Sequence, residues 1–298
     1  MESIRIVVGE YRLPGILTLP NGAGLFPAVV LISGSGANDA DETIGPNQPF
    51  RDIAEGLAAQ GIAALRFDKR TLALGNNPEL DVAHLTVKQE YVDDTIAAVD
   101  RLRGTPGIDP ARVFVLGHSL GGYVLPRVAQ ADLQIAGLII ASGLANPLPE
   151  TILRQVKYQM ALGIPPSNAE QIIQSYRNVI EQINALTPDK ATTTLLMGAA
   201  PAYWLDLKGY DPVALAAMLP QPILVLQGER DYQVTMADDF VRWQSGLASH
   251  SDTTFKTYPD LNHIYMTGTG MSTPDEYQRP GSVAPEVIND IAAWVTAR

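Results

Sequence analysis

The chain has 298 residues, of which 46% are hydrophobic and 18% charged, enough for one large domain with an ample core. Its formal net charge of -11 disfavours nucleic acid and anionic membrane surfaces as partners, since both need a basic face. With no cysteine there can be no disulfide, thiolate metal site or cysteine nucleophile, and the 25 glycines and 22 prolines leave ample turn-forming material.

At the N-terminus, MESIRIVVGEYRLPG lacks the basic-then-apolar layout of a signal peptide, and no apolar run is long enough to span a bilayer. A cytoplasmic protein is the expectation. Ile4 to Val8 and Tyr11 to Leu19 read as an antiparallel hairpin edge, with Leu13-Pro14-Gly15 breaking the second strand. Pro27 to Ile32 is a buried-type strand ending at Ser33-Gly34-Ser35-Gly36, and an acidic loop from Asn38 to Thr43 follows. Phe50 to Gln60 has helical spacing and stops at Gly61, a fitting cap. Ile62 to Phe67 is a second buried strand, followed by Asp68-Lys69-Arg70.

Thr86 opens a helix that runs to Leu102 behind a Thr86…Gln89 capping box. Next comes RVFVLGHSLGGYVLPRVAQ, Arg112 to Gln130: a β-branched strand, an abrupt Gly-His-Ser-Leu-Gly turn, then a helical pattern. Such a turn lifts Ser119 above the carboxyl end of a parallel sheet, beside a helix start whose free N–H groups favour negative charge. Ile135 to Ala141 is another buried strand. Strands alternating with helices of this length indicate a mostly parallel central sheet flanked by helices.

From about residue 146 to 219 the alternation lapses. Ile152 to Met160, Ala169 to Ile183, Thr192 to Leu195 and Val213 to Met218 read as helices punctuated by Pro165-Pro166 and Pro188. This is expected to be a helical cap insertion, 146–219, dividing a core of 1–145 and 220–298. Tyr158, Met160, Tyr176, Met197, Tyr203, Trp204 and Tyr210 can line a pocket or pack the insertion itself. Pro222 to Leu226 resumes the sheet, Met236 to Leu247 is a helix, and Thr253 to Tyr258 is the last strand. Pro285 to Ala297 is a terminal helix with proline in its first turn.

A serine hydroxyl needs a base, and the base an orienting carboxylate. Among four histidines, His118 adjoins the serine and should point away from it. His84 reads as a surface or capping residue, and His250 as a solvated turn residue. His263 follows the last strand at the sheet's carboxyl end and is the expected base. Asp231, just after the preceding strand, is the expected acid; Glu229 and Asp260 compete with it. The order Ser119, Asp231, His263 is the one expected for this type of nucleophile turn. The oxyanion donors are expected from the amides of Leu120 and of Ser35, with Gly36 the alternative to Ser35. Asp39, Asp41 and Glu42 lack the spacing of a calcium loop and read as backbone caps near the oxyanion loop. Asp68 and Arg70 read as loop anchors.

In these motifs the sequence resembles the α/β-hydrolase superfamily, and within it bacterial serine esterases related to dienelactone hydrolase and the S9-type acyl hydrolases. The matching residues are S-G-S-G at Ser33 to Gly36, N-D-x-D-E-T at Asn38 to Thr43, R-F-D-K-R at Arg66 to Arg70, G-H-S-L-G-G at Gly117 to Gly122, Q-G-E-R-D at Gln227 to Asp231 and L-N-H at Leu261 to His263. The resemblance implies an α/β-hydrolase fold and hydrolysis of a small-molecule carboxylic ester, commonly short-chain, without cofactor; no metal site is expected from the spacing of the acidic loop. Two positions depart from the pattern: Ala40 stands where such esterases often carry arginine, and Ser33 where many carry histidine. A peptidase or acyl-aminoacyl hydrolase using the same three side chains is the alternative. A non-catalytic ligand-binding protein on the same fold is a more distant one.

Overall fold

The computed structural model describes residues 1–75, 80–163, 166–190 and 193–298. Eight strands form one sheet in the order β1-β2-β4-β3-β5-β6-β7-β8. They are β1 (Glu2–Val8), β2 (Tyr11–Thr18), β3 (Phe26–Ile32), β4 (Ala63–Phe67), β5 (Ile108–His118), β6 (Leu138–Ala141), β7 (Ile223–Gly228) and β8 (Thr253–Tyr258). The β1–β2 and β2–β4 pairs are antiparallel, and every later pairing is parallel.

Strand alternation sorts the core onto two faces. Val30, Ile32, Val113, Val115, Ile140 and Val225 pack on one, beneath α3 (Asp94–Arg103), α4 (Leu120–Ala131) and Trp243. Val29, Leu31, Phe114, Leu116, Ile139 and Leu224 pack on the other, against α1 (Pro49–Ala59) and α10 (Pro285–Thr296). β3 lies between β4 and β5, with Ile32 in register with Gly117. At that reversal of strand order the loops after β3 and β5 leave the sheet side by side, which is where open α/β sheets bind ligands.

Several expectations need correction. β2 is continuous through Pro14 and lies inside the sheet, beside the edge strand β1. β4 ends at Phe67, and the Pro14 carbonyl accepts from the Asp68 amide, so the missing N–H breaks no ladder bond. The Thr86…Gln89 box forms in both directions, at 2.9 and 3.2 Å, but the helix behind it opens with a π-turn over Lys88–Asp93. Met236–Phe240 is also π-helical, ahead of α9 (Val241–Gly246). β6 starts at Leu138; Ile135 is buried in the turn before it.

A short α2 (Arg70–Ala73) follows β4. Between β6 and β7 lie α5 (Leu148–Ala161), α6 (Ala169–Ala185), α7 (Pro201–Leu207) and α8 (Pro212–Ala216), with no strand among the described residues. The helix expected over Thr192 to Leu195 is absent from 193–195, and Thr192, like Pro165, lies outside the described residues. β-Branched threonines crowd a helical turn. The chain instead makes a tight reversal, Leu196 bridging to Ala199 around Met197 and Gly198 at φ 46° and 81°. α7 begins immediately afterwards, with Pro201 in its first turn. No described helix is long and apolar enough to cross a membrane.

Candidate active site

Ser119 joins β5 to α4 with φ 55° and ψ −117°, a conformation that L-residues rarely adopt. The flanking glycines make the turn sterically possible. A Cβ on Gly121 would come within 2.5 Å of the Ile32 carbonyl oxygen, and one on Gly117 would overlap the Gly121 backbone. The Ser119 amide donates to the Ala141 carbonyl at 2.9 Å, tying the turn to β6. Leu120 is the first residue of α4, so its N–H has no intrahelical acceptor.

Asp231 and His263 come together as expected. The imidazole Nδ1 donates to Asp231 Oδ2 at 2.7 Å, and both side chains are buried. Asp231 Oδ1 accepts from the Gln233 and Val234 amides at 2.7 and 3.0 Å, while Gln227 Nε2 donates to Oδ2 at 3.2 Å. Four donors fix one carboxylate orientation, and the histidine is aligned through it. Glycine at 228 allows the two loops to meet: a Cβ there would lie 2.5 Å from the Leu261 carbonyl oxygen. The His263 ring lies 4.6 Å, centroid to centroid, from the ring of His118, the residue before the serine. Among the described residues no hydrogen bond joins His263 Nε2 to Ser119 Oγ; such bonds are often long without substrate and tighten when it binds.

The loop after β3 brings Gly34 against the serine, where a Cβ would sit 3.1 Å from Ser119 Cβ. Both polar groups of Gly34 are clamped. Its N–H donates to Glu42 Oε1 at 2.6 Å; its carbonyl accepts from Tyr91 Oη at 2.7 Å and Lys69 Nζ at 3.2 Å. In a trans peptide the next N–H points opposite to the carbonyl, so this clamp turns the Ser35 amide away from Lys69 and Tyr91. Lys69 also reaches Glu90, and burial lowers its ammonium pKa against the opposing pull of that carboxylate.

A cavity of about 440 Å³ opens over the serine and is bordered by Ser35, Gly36, Ser119 and Leu120. Its walls include Val82, Leu85, Leu144, Leu148 and Ile152, with Lys69, Thr71 and Glu90 supplying polar groups. Of the seven aromatic and methionine candidates, Met197, Tyr203 and Trp204 line it. Tyr158 instead stacks on Tyr232 at 4.7 Å, and Tyr210 packs edge-on against Tyr123 at 5.1 Å. Met160 and Tyr176 are half-buried and stand apart from the cavity lining.

The competing residues serve elsewhere. Glu229 and Asp260 are exposed, and Asp260 shapes the histidine loop by accepting the Gly268 amide through its carbonyl. His84 pairs with Asp81 on the surface. His250, expected to be solvated, is half-buried and spans Leu219 O and Thr253 Oγ1 at 2.9 Å each. Asp39 accepts the Thr43 amide and Glu42 the Gly34 amide, matching the capping role expected of that loop, whereas Asp41 pairs with the Arg66 guanidinium at 2.6 Å instead. Asp68 accepts the Ala40 amide, and Arg70 pairs with buried Asp94, as expected of loop anchors. Lys69, Tyr91, Glu90 and Asn262 escaped sequence reasoning. The R-F-D-K-R and L-N-H motifs contained Lys69 and Asn262 without assigning them a role, since buried polar partners leave no periodic trace. Asn262 holds the histidine loop by accepting from the Ile264 and Met266 amides.

Comparison with known proteins bears on the family and the fold. Residues 29–277 match the model of the alpha/beta hydrolase family. The chain is 40% identical over 285 residues to Esterase EstD of Thermotoga maritima, covering 95% of this chain and 65% of that protein. In fold it resembles Est1E from Butyrivibrio proteoclasticus (TM-score 0.64, 16% identity, all of both chains covered). It likewise resembles the Pyrobaculum calidifontis esterase (TM-score 0.63, 16% identity, 99% of this chain and 85% of that one). A serine at a strained strand–helix turn, an aspartate-bound histidine beside it and the matched family model lead to one conclusion: the chain belongs to the alpha/beta hydrolase family.

Proposed function

We propose that this protein is a serine carboxylesterase acting on small, short-chain esters through an acyl-enzyme. The observation that carries the reading is the buried Asp231–His263 hydrogen bond, with the imidazole packed beside the elbow of a serine that opens into a cavity. Ser119 Oγ attacks the ester carbonyl while His263 Nε2 takes its proton. The C–O bond to the alcohol then breaks, and the protonated imidazole delivers that proton to the leaving alkoxide. Water, deprotonated by the same nitrogen, attacks the acyl-serine and releases the acid.

Asp231 fixes the tautomer, leaving Nε2 free to accept, and stabilises the imidazolium that forms. The amides of Leu120 and Ser35 hold the oxyanion, each contributing about 3 kcal/mol of transition-state stabilisation. Residues 146–219 act as a cap whose Met197, Tyr203 and Trp204 limit the room for the acyl or alcohol group. The esterase name of the Thermotoga maritima relative supports the reading, although the chain spans only 65% of that protein.

The test is p-nitrophenyl acetate hydrolysis by the wild type and Ser119→Ala, with parallel amide substrates. Turnover of the ester in the wild type and its loss in the variant are expected, with unchanged circular dichroism. Undiminished turnover in Ser119→Ala refutes the reading, and faster hydrolysis of amides than esters moves it to the peptidases. A p-nitrophenyl ester chain-length series then sizes the acyl site.

A further inference from the structure

Glu42 is held at considerable cost. It is buried, its backbone adopts φ 50°, and its Oε2 has no hydrogen-bond partner. A strained, buried and half-satisfied carboxylate persists only where its surroundings over-determine it. Its other oxygen, Oε1, receives the Gly34 N–H at 2.6 Å and lies 2.9 Å from His118 Nδ1. The opposite ring nitrogen, His118 Nε2, is 2.9 Å from the backbone carbonyl of His263. A carbonyl can only accept, so Nε2 carries a proton; an ionised carboxylate can also only accept, so with Glu42 as the anion Nδ1 carries one too.

We infer that Glu42 and His118 form a charged positioning pair that ties the oxyanion loop to the loop of the catalytic histidine. Gly34 N–H, Glu42, His118 and the His263 carbonyl form one chain of hydrogen bonds around the serine. It runs from the peptide preceding the Ser35 amide to the residue carrying the proposed base. The inference rests on the esterase reading for its kinetic consequence, and neither residue lines the cavity over Ser119.

The groups facing His118 are Glu42 from the loop after β3, His263 from the loop after β8 and Asp231 from the loop after β7, with uncharged Phe50 of α1 edge-on at 6.4 Å. Burial opposes the imidazolium, but the charge and hydrogen bond of Glu42, then the His263 carbonyl, outweigh it and raise the His118 pKa.

Two measurements test the pair. Histidine ¹⁵N NMR of the wild type, with His118 assigned by His118→Asn, should show that ring doubly protonated at pH 7.5. A neutral ring there overturns the inference. Glu42→Gln keeps the shape and the acceptor for Gly34 but removes the charge. It should make the ring neutral and lower kcat about tenfold to hundredfold, the scale of a small displacement of reacting groups, with KM within about twofold. Unchanged kcat in a folded Glu42→Gln, or a loss confined to KM, also overturns it. If the wild type neither hydrolyses esters nor labels with a fluorophosphonate at Ser119, the esterase reading fails, while the NMR signal still decides the charge state of the pair.

Discussion

At the residue scale, Asp231 and His263 act as a unit because the carboxylate is held by other donors before the imidazole reaches it. Asp231→Asn keeps the size of the side chain but presents an amide that can stabilise the wrong imidazole tautomer. Its kcat should fall by about 10⁴-fold with little change in KM. The same assay on Glu229→Gln and Asp260→Asn should give values within about twofold of wild type, because both side chains are exposed. A severe loss in Glu229→Gln with a mild one in Asp231→Asn would transfer the role of acid.

His118 also carries a pH signature. Its folded pKa is raised above that of an ordinary imidazole, so the folded state binds the proton more tightly than the unfolded chain. The resulting stability is fully present below about pH 6.5 and fades as pH rises through the raised folded value. Urea melts of the wild type and His118→Asn across this range should therefore converge as pH increases. A stability difference that stays constant with pH would contradict the assignment.

At the scale of single elements, the start of the π-turn before α3 is set by local chemistry. Thr86 and Gln89 cap that start reciprocally on an exposed surface. Thr86→Ala should cost about 1 kcal/mol in urea denaturation and leave kcat unchanged. Gly121→Ala is different in kind, because the new methyl meets the Ile32 backbone, which cannot rotate aside. It should cost about 1–3 kcal/mol from overpacking and also damage turnover, since the loop after β3 and the start of α4 carry the two proposed oxyanion donors. Equal effects of the two substitutions on activity would argue against that geometry.

At the scale of the whole molecule, one buried carboxylate ties the segment after β6 to the core. Asp239, fully buried at the start of the helical stretch after β7, accepts from the Ala145 amide, Asn146 Nδ2, the Thr235 amide and Arg154 of α5. Removing Arg154 as Arg154→Leu strips the counter-charge from a buried anion and should destabilise the fold by about 3 kcal/mol. KM should rise with it, because α5 supplies Ile152 and Gln155 to the cavity wall. An unchanged KM and denaturation midpoint would show that α5 docks without this pair.

What the amino-acid sequence determined by itself is whatever depends on neighbours along the chain. Strand and helix periods, the glycines of the elbow and the Thr86 cap all belong to that class, while the serine, aspartate and histidine were legible only as an order along the chain. The tertiary structure alone decided how residues distant in sequence share a proton or a carbonyl. Glu42 meets His118 across 76 positions and Tyr91 meets Gly34 across 57, and each is an ordinary polar residue in its local context. Burial makes their hydrogen bonds obligatory, and burial is a property of the assembled sheet and helices. The Met197–Gly198 reversal stayed hidden for a related reason. Leu196 and Met197 favour a helix while Gly198 favours a turn, so the local signals conflict and contacts with the rest of the molecule chose its shape.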